Sequence, residues 1–139
     1  MPGTKYIKEK VIRDIEMVIG KKDTEYLHKL FDSNNQNYFG NKLTKPVFKF
    51  YTGKDLYGRC IVGSRDGKVP TEIWISKYAH DTHENLEDTV LHEMIHQFIY
   101  EVLHGPKYQI ITHGVVFRSV CFYLRCKYGV KIEKPASIF

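Results

Sequence analysis

Cysteine is scarce in this chain, which has three in 139 residues: Cys60, Cys121 and Cys126. None of them belongs to a CxxC pair, and three cysteines cannot all pair within one chain. On a helix, Cys121 and Cys126 would project about 140° apart, which suits neither a disulfide nor a zinc ribbon. A disulfide scaffold is therefore excluded, and we expect free, buried thiols in a reducing compartment.

Long apolar runs are also absent. No stretch approaches the roughly 18–20 residues that a membrane span needs, and the N-terminus lacks the apolar core of a signal peptide. A composition of 42% hydrophobic and 14% aromatic residues argues against intrinsic disorder. No repeat or linker divides the sequence. We therefore expect a soluble, cytoplasmic protein without a membrane partner, folded as one domain over residues 1–139.

Basic residues are in excess, with 21 Lys and Arg against 16 Asp and Glu and a formal net charge of +5. The acids gather in residues 81–100, where no Lys or Arg occurs: Asp81, Glu84, Glu87, Asp88 and Glu93. An acidic stretch between basic flanks permits a polyanion partner such as DNA. An ordinary solvated basic surface explains the same charges, so composition alone does not choose between the two.

Apolar periodicity predicts four helices and three short strands. The helices are expected at Tyr6–Ile19, from Asp23 to the 33–37 region or shortly after it, from Asp81 or Thr82 to about Leu103, and from about His113 to Tyr128 with Gly129 as its C-cap. The apolar pattern of the last helix is expected to turn one set of residues inward: Val116, Phe117, Val120, Cys121 and Leu124. The strands are expected at 47–51, 58–62 and 72–76. Their short connections favour a small antiparallel meander. The order ααβββαα predicts an α+β fold with helices packed on one three-stranded sheet.

The third predicted helix contains the motif His92-Glu93-Met94-Ile95-His96, an HExxH. Two histidines four residues apart lie on one side of a helix, so both imidazoles can reach one metal ion. Glu93 lies beside the first ligand and is placed to take a proton from a metal-bound water. Polar residues in an apolar helix are costly unless something satisfies them, and zinc would do so.

A zinc hydrolase needs a third protein ligand and one open position. The candidates downstream are Glu101, His104 and His113. In an unbroken helix His104 would lie about 12 Å along the axis from His96, too far to share the ion. Glu101 falls on another side of the helix. His113 follows a stretch long enough to reverse the chain direction, and we consider it the strongest candidate.

These motifs resemble the SprT-like zinc metallopeptidases, whose member Spartan cleaves proteins crosslinked to DNA. The resemblance runs from about Leu30 to Ile132 and rests on short matching segments: Leu30-Phe31-Asp32, Gly58-Arg59-Cys60, Glu72-Ile73-Trp74-Ile75-Ser76, the HExxH helix, and His113-Gly114-Val115-Val116-Phe117. It implies a zincin-like minimal metallopeptidase domain. Many members continue into a C-terminal cysteine zinc ribbon, and this chain is expected to depart from them in having none. The resemblance also implies Zn²⁺ held by His92, His96 and His113, with Glu93 catalytic. His104-Gly105 weakly echoes the His113-Gly114 pair, so His104 stays open as the third ligand.

The main functional hypothesis is a zinc-dependent endopeptidase acting on proteins, including DNA-associated or DNA-crosslinked proteins. Peptide would bind as an added strand along a sheet edge. The residues considered for stabilising the oxyanion are Tyr100, Tyr108, Tyr123 and His83. A DNA-directed enzyme would be nucleoid-associated or nuclear. The alternative is a zinc-containing module with little or no proteolysis that binds single-stranded nucleic acid, for example through Lys107-Tyr108 and Lys127-Tyr128.

Overall fold

The computed structural model describes residues 23–53, 57–77, 83–107 and 114–132. The predicted helix Tyr6–Ile19 lies outside these ranges. The described elements are, in chain order, α1 (Asp23–Tyr38), β1 (Val47–Tyr51), β2 (Gly58–Ile61), β3 (Glu72–Ser76), α2 (His83–Glu101) and α3 (Val115–Tyr128). This order confirms the α+β class, with three of the predicted helices packed around a three-stranded sheet.

The strand order is β1-β3-β2, and it corrects the predicted antiparallel meander. β2 and β3 do form the expected antiparallel hairpin, but β1 pairs with β3 in parallel. The connection from β1 to β2, residues 52–57, is long enough to span two strand spacings, about 10 Å, so one strand can lie between them. β3 fills that gap, and its Ile73 and Ile75 side chains are completely buried, which places the most buried strand at the centre of the sheet.

Helix α1 is fixed to the sheet by the turn that follows it. The Asn35 side chain accepts a hydrogen bond from the Leu43 backbone N–H and donates one to the Leu43 carbonyl, both at 3.1 Å. The chain reverses between them through Gly40 and Asn41, which both have left-handed backbone angles (φ +62° and +58°). The buried face of α1, which includes Phe31, then packs against α2 and β1.

Helix α2 is the central element, since it contacts β2, β3, α1 and α3. Its C-terminal end is closed by a turn in which the Gly105 N–H donates to the Ile99 carbonyl at 2.8 Å, with His104 in the left-handed conformation (φ +56°). Arg65 of the β2–β3 loop completes this cap. Its guanidinium donates to the Tyr100 and Gly105 carbonyls at 3.0 and 3.1 Å.

Helix α3 ends as predicted, with Gly129 in the left-handed conformation (φ +71°) and its N–H donating to the Arg125 carbonyl. Phe117, Val120 and Leu124 form its buried face. Val116, which the periodicity placed inward, is 52% exposed, and that prediction is wrong. None of the helices in the described ranges is long and apolar enough to cross a membrane.

The three cysteines are free, as expected. Their predicted burial holds only in part. Cys60 and Cys121 are partly buried, whereas Cys126 is exposed on α3. Cys60 lies on the face of β2 that turns toward α2, and burial raises the pKa of its thiol well above the usual value.

The strand order predicts a pattern of amide protection. Both edges of β3 are paired, so consecutive amides from Ile73 to Ile75 should exchange slowly, whereas β2 should alternate between slow and fast amides. Hydrogen–deuterium exchange followed by NMR would measure this. Uniform protection of Arg59 and Cys60, with alternation in β3, would instead support the meander with β2 in the centre.

Candidate metal centre

Three polar side chains share one buried turn of α2. His92, Glu93 and His96 are 2%, 1% and 6% exposed. One potential ligand atom from each lies within 4.8 Å of the others, and the two imidazole ring centroids are 5.2 Å apart. The spacing of one helical turn therefore brings the two histidines together, as the sequence predicts. The cluster is compatible with binding of a metal ion.

The helix around this cluster is apolar, because Met94 and Ile95 are both fully buried. Such a neighbourhood excludes water and makes each buried polar group expensive, at about 1–3 kcal/mol if its hydrogen bonding is lost. Formation of the helix does not by itself require polar residues at these buried positions. Their burial together is compatible with a bound metal ion.

Glu93 is the clearest example of a costly buried polar group. Burial raises the pKa of its carboxyl well above the usual value. Its Oε1 atom is buried and has no hydrogen-bond partner among the described residues. Buried acceptors in native proteins are almost always satisfied, so a water or a cation is expected at this atom. Two imidazoles with an adjacent carboxylate form a donor set that fits zinc.

Gly58 allows β2 to approach this carboxylate. A Cβ atom at position 58 would lie 2.6 Å from Cγ2 of Thr89 and 3.3 Å from Oε2 of Glu93. A side chain there would therefore clash with α2 beside the catalytic candidate. Sequence reasoning assigned no role to Gly58, although a glycine at the start of a strand is a known signal of close backbone approach.

Phe117 of α3 covers the two histidines. Its ring centroid lies 4.8 Å from that of His92 and 4.7 Å from that of His96, and the side chain is 6% exposed. The periodicity identified Phe117 only as a core residue. The structure adds that it packs on both imidazoles, which restricts their orientation and keeps that side of the cluster dry.

Glu101 is held in a hydrogen-bond network away from the cluster. Its Oε1 accepts from the Thr44 backbone N–H at 2.8 Å, and its Oε2 accepts from the Thr44 hydroxyl, Gln97 Nε2 and the Thr71 hydroxyl at 2.8, 2.9 and 3.2 Å. The Gln97 amide also donates to the Thr44 carbonyl at 2.7 Å. Both carboxylate oxygens are thus occupied, and Glu101 joins α2 to the loops that flank the sheet.

His104 is exposed and follows the end of α2, outside the group formed by His92, Glu93 and His96. α2 ends at Glu101, so His104 lies beyond the helix on which its distance from His96 was predicted, and it is not one of the residues whose ligand atoms converge. His113 lies outside the described residues. Its role as third ligand therefore stays a prediction from the sequence.

The oxyanion candidates have different surroundings. Tyr100 is 8% exposed, with the Arg65 guanidinium 4.3 Å from its ring centroid. Tyr123 is half exposed on α3 and accepts a hydrogen bond from Lys127 at 2.9 Å. Tyr108 lies outside the described residues, and the His83 side chain is not described. The described contacts thus bring neither Tyr100 nor Tyr123 to the cluster.

Comparison with known families agrees with this geometry. A model described as the SprT-like family matches residues 27–134, a range that contains every described element from the core of α1 to the end of α3. No curated protein is similar enough to the chain to count as a relative. Because the family match covers most of the chain, this protein belongs to the SprT-like family.

Proposed function

We propose that this protein is a zinc-dependent endopeptidase. The observation that supports this most directly is the buried group of His92, Glu93 and His96, in which two imidazoles and a carboxylate converge within 4.8 Å. Membership of the SprT-like family supports the same function. Structural zinc sites usually have four protein ligands, whereas the ligands proposed for this chain number three and leave a position for water.

His92 and His96 are the first two proposed ligands, and His113 is the third. When bound, zinc would lower the pKa of a coordinated water towards about 7 and polarise the scissile carbonyl. Phe117 keeps both imidazoles in a dry, fixed arrangement, because its ring packs on each of them. Glu101 is left out of the ligand set, since both its oxygens accept hydrogen bonds.

Glu93 is the proposed general base. Its carboxylate would take a proton from the attacking water and deliver it to the leaving amine of the peptide. The side chain is suited to this because one buried oxygen has no hydrogen-bond partner among the described residues and can therefore accept a hydrogen bond from a zinc-bound water. Gly58 leaves the space in which this carboxylate sits.

The proposed substrate is an extended protein segment that pairs with the outer edge of β2. β2 is an edge strand of the described sheet, and its first residue, Gly58, lies next to Glu93. A segment added along this edge would therefore pass close to the general base. Addition of a strand supplies main-chain hydrogen bonds and requires little of the substrate sequence.

The zinc prediction is that purified protein holds one zinc per chain. Each histidine supplies one of the three proposed ligands. Zinc affinity should therefore fall in His92→Ala, His96→Ala and His113→Ala by more than the about 10–100-fold that is typical when a residue hydrogen-bonded to a metal ligand is replaced. Metal analysis and chelator competition would measure this. His104→Asn is the matched control, since asparagine tolerates the left-handed backbone there, and it should keep zinc. Zinc loss in His104→Asn with retention in His113→Ala would reverse the assignment of the third ligand.

Glu93→Gln separates catalysis from metal binding. The amide has nearly the same shape but cannot accept the proton, so hydrolysis of an unstructured protein should fall by about 10²–10⁴-fold while zinc content and fold are kept. Cleavage should be followed with and without single-stranded DNA. Equal cleavage by wild type and Glu93→Gln would refute the role of Glu93. Absence of cleavage by both would refute the endopeptidase and favour a binding module.

A second candidate function, binding of single-stranded nucleic acid, is favoured by a cluster on α3. The Lys127 ammonium lies 5.4 Å from the ring centroids of both Tyr123 and Tyr128. Its hydrogen bond to Tyr123 raises the pKa of Lys127, which keeps the ammonium charged. Exposed aromatic rings around a cation suit base stacking combined with phosphate contact. DNA or a DNA–protein crosslink is accordingly a proposed partner.

Salt dependence tests this candidate. If Lys127 contacts a phosphate, Lys127→Ala should reduce the slope of log affinity against log salt by about 0.7 for a single strand. Lys68→Ala is the matched control, because Lys68 is exposed on the β2–β3 loop and its loss changes the net charge equally. Fluorescence anisotropy with oligo(dT) would measure both slopes. Equal slopes for the two variants would show that α3 is not the nucleic-acid surface.

A further inference from the structure

An open apolar groove lies between the end of α2 and the first half of α3. Its volume is about 340 Å³. Phe98 and Leu103 line one side, and Val115, Val116 and Tyr123 line the other. The volume is at the lower end of the range for ligand sites, about 300–1,000 Å³. None of these residues belongs to the proposed metal centre.

The side chains at the groove are more exposed than their chemistry favours. Val115 is 71% exposed, Val116 52%, Tyr123 51% and Leu103 48%. Scattered single apolar residues are normal on a protein surface, but a contiguous set marks a contact site. α3 thus has two apolar faces. One packs on α2 through Phe117, Val120 and Leu124, and the other borders the groove.

The charge around the groove indicates what it binds. From Val102 to Ile132 the sequence has no Asp or Glu, and its basic residues are Lys107, Arg118, Arg125, Lys127 and Lys131. Lys127 is exposed, and its ammonium donates a hydrogen bond at 2.9 Å to the hydroxyl of Tyr123, which lines the groove. The apolar groove therefore has a positive border, which complements a negatively charged partner.

We propose that this groove is a docking site for an acidic polypeptide segment that inserts apolar side chains between α2 and α3. The lining favours a polypeptide over a nucleic acid. Four of the seven lining residues, Leu103, Val115, Val116 and Val120, are aliphatic and offer no ring for base stacking, whereas only Phe98 and Tyr123 are aromatic. These aliphatic residues suit the apolar face of an amphipathic segment, whose Asp and Glu would lie against Lys127.

The groove also lies close to the metal centre through α3. Phe117 packs on His92 and His96, while its neighbour Val116 lines the groove. A protein held in the groove would thus be anchored one helix away from the proposed catalytic residues. The docking itself requires neither zinc chemistry nor proteolysis, so it can be measured as binding alone.

The test uses a synthetic helix-forming peptide with Leu and Phe at positions i, i+4 and i+7 and Asp or Glu elsewhere. Its counterpart replaces every acid with Lys. Anisotropy titration against the zinc-loaded protein should show at least about tenfold tighter binding of the acidic peptide, with the difference shrinking at high salt. Perturbed amide signals of Val115, Val116 and Ser119 in NMR spectra should place the contact in the groove.

Val116→Glu is the disrupting variant. A glutamate in the first turn of α3 is compatible with the helix, because negative charge is favourable at a helix N-terminus and no acid occupies that turn. It should weaken binding of the acidic peptide at least about tenfold. Phe122→Glu is the matched control, since Phe122 is 69% exposed on α3 but does not line the groove, and it should have a much smaller effect.

Four outcomes would overturn the proposal. One is that the acidic peptide does not bind, and another is that it binds no better than its Lys counterpart. Equal effects of Val116→Glu and Phe122→Glu would show that the peptide is bound by general charge attraction and not by the groove. Binding of oligo(dT), lost in Val116→Glu and not accompanied by peptide binding, would assign the surface to nucleic acid. All of these binding measurements can be repeated with Glu93→Gln, which is expected to keep its fold and zinc but lose hydrolysis. Failure of the docking site can therefore be distinguished from failure of the proposed protease activity.

Discussion

The burial of a polar turn inside α2 is the constraint on which the rest of the structure depends. His92, Glu93 and His96 are almost completely inaccessible to water in a helix whose neighbours Met94 and Ile95 are fully buried. Such a turn is stable only if its polar atoms find partners. The elements around α2 are arranged accordingly, with a glycine-bearing strand on one side and an aromatic side chain on the other.

Two buried glutamates of α2 illustrate how the surroundings separate structural from chemical roles. Glu101 accepts hydrogen bonds at both oxygens from Thr44, Thr71 and Gln97, and in this way ties the helix to the loops beside the sheet. Glu93 is equally inaccessible, yet its Oε1 has no such partner among the described residues. An available carboxylate oxygen is what general base catalysis requires, and a fully bonded one is what a structural link requires.

Helix α3 connects the metal centre with the surface. Its inward face packs Phe117 on the two histidines, and its outward face carries exposed apolar and basic residues beside the groove. A short amphipathic helix ordinarily has one apolar face. The second apolar face of α3 is exposed among the described residues, and it carries the proposed docking surface next to the proposed site of chemistry.

The sequence by itself determined the helices, the strands and the pair of histidines. These are local properties: helical periodicity locates α1, α2 and α3, and a separation of four residues puts His92 beside His96 on any helix. The Gly129 cap follows from local chemistry in the same way. The membership in the SprT-like family was likewise visible in motifs whose order and spacing are read directly from the chain.

The tertiary structure alone decided the order of the strands, the exposure of Val116 and the separate roles of Glu93 and Glu101. Strand order depends on which strands meet across the chain, and short connections did not specify that β3 lies between β1 and β2. Periodicity marks Val116 as apolar but not as inward, because an apolar residue at the border of a face can point either way. The neighbours of each glutamate come from distant segments, Gly58 beside Glu93 and Thr44 beside Glu101, and only packing can establish their approach.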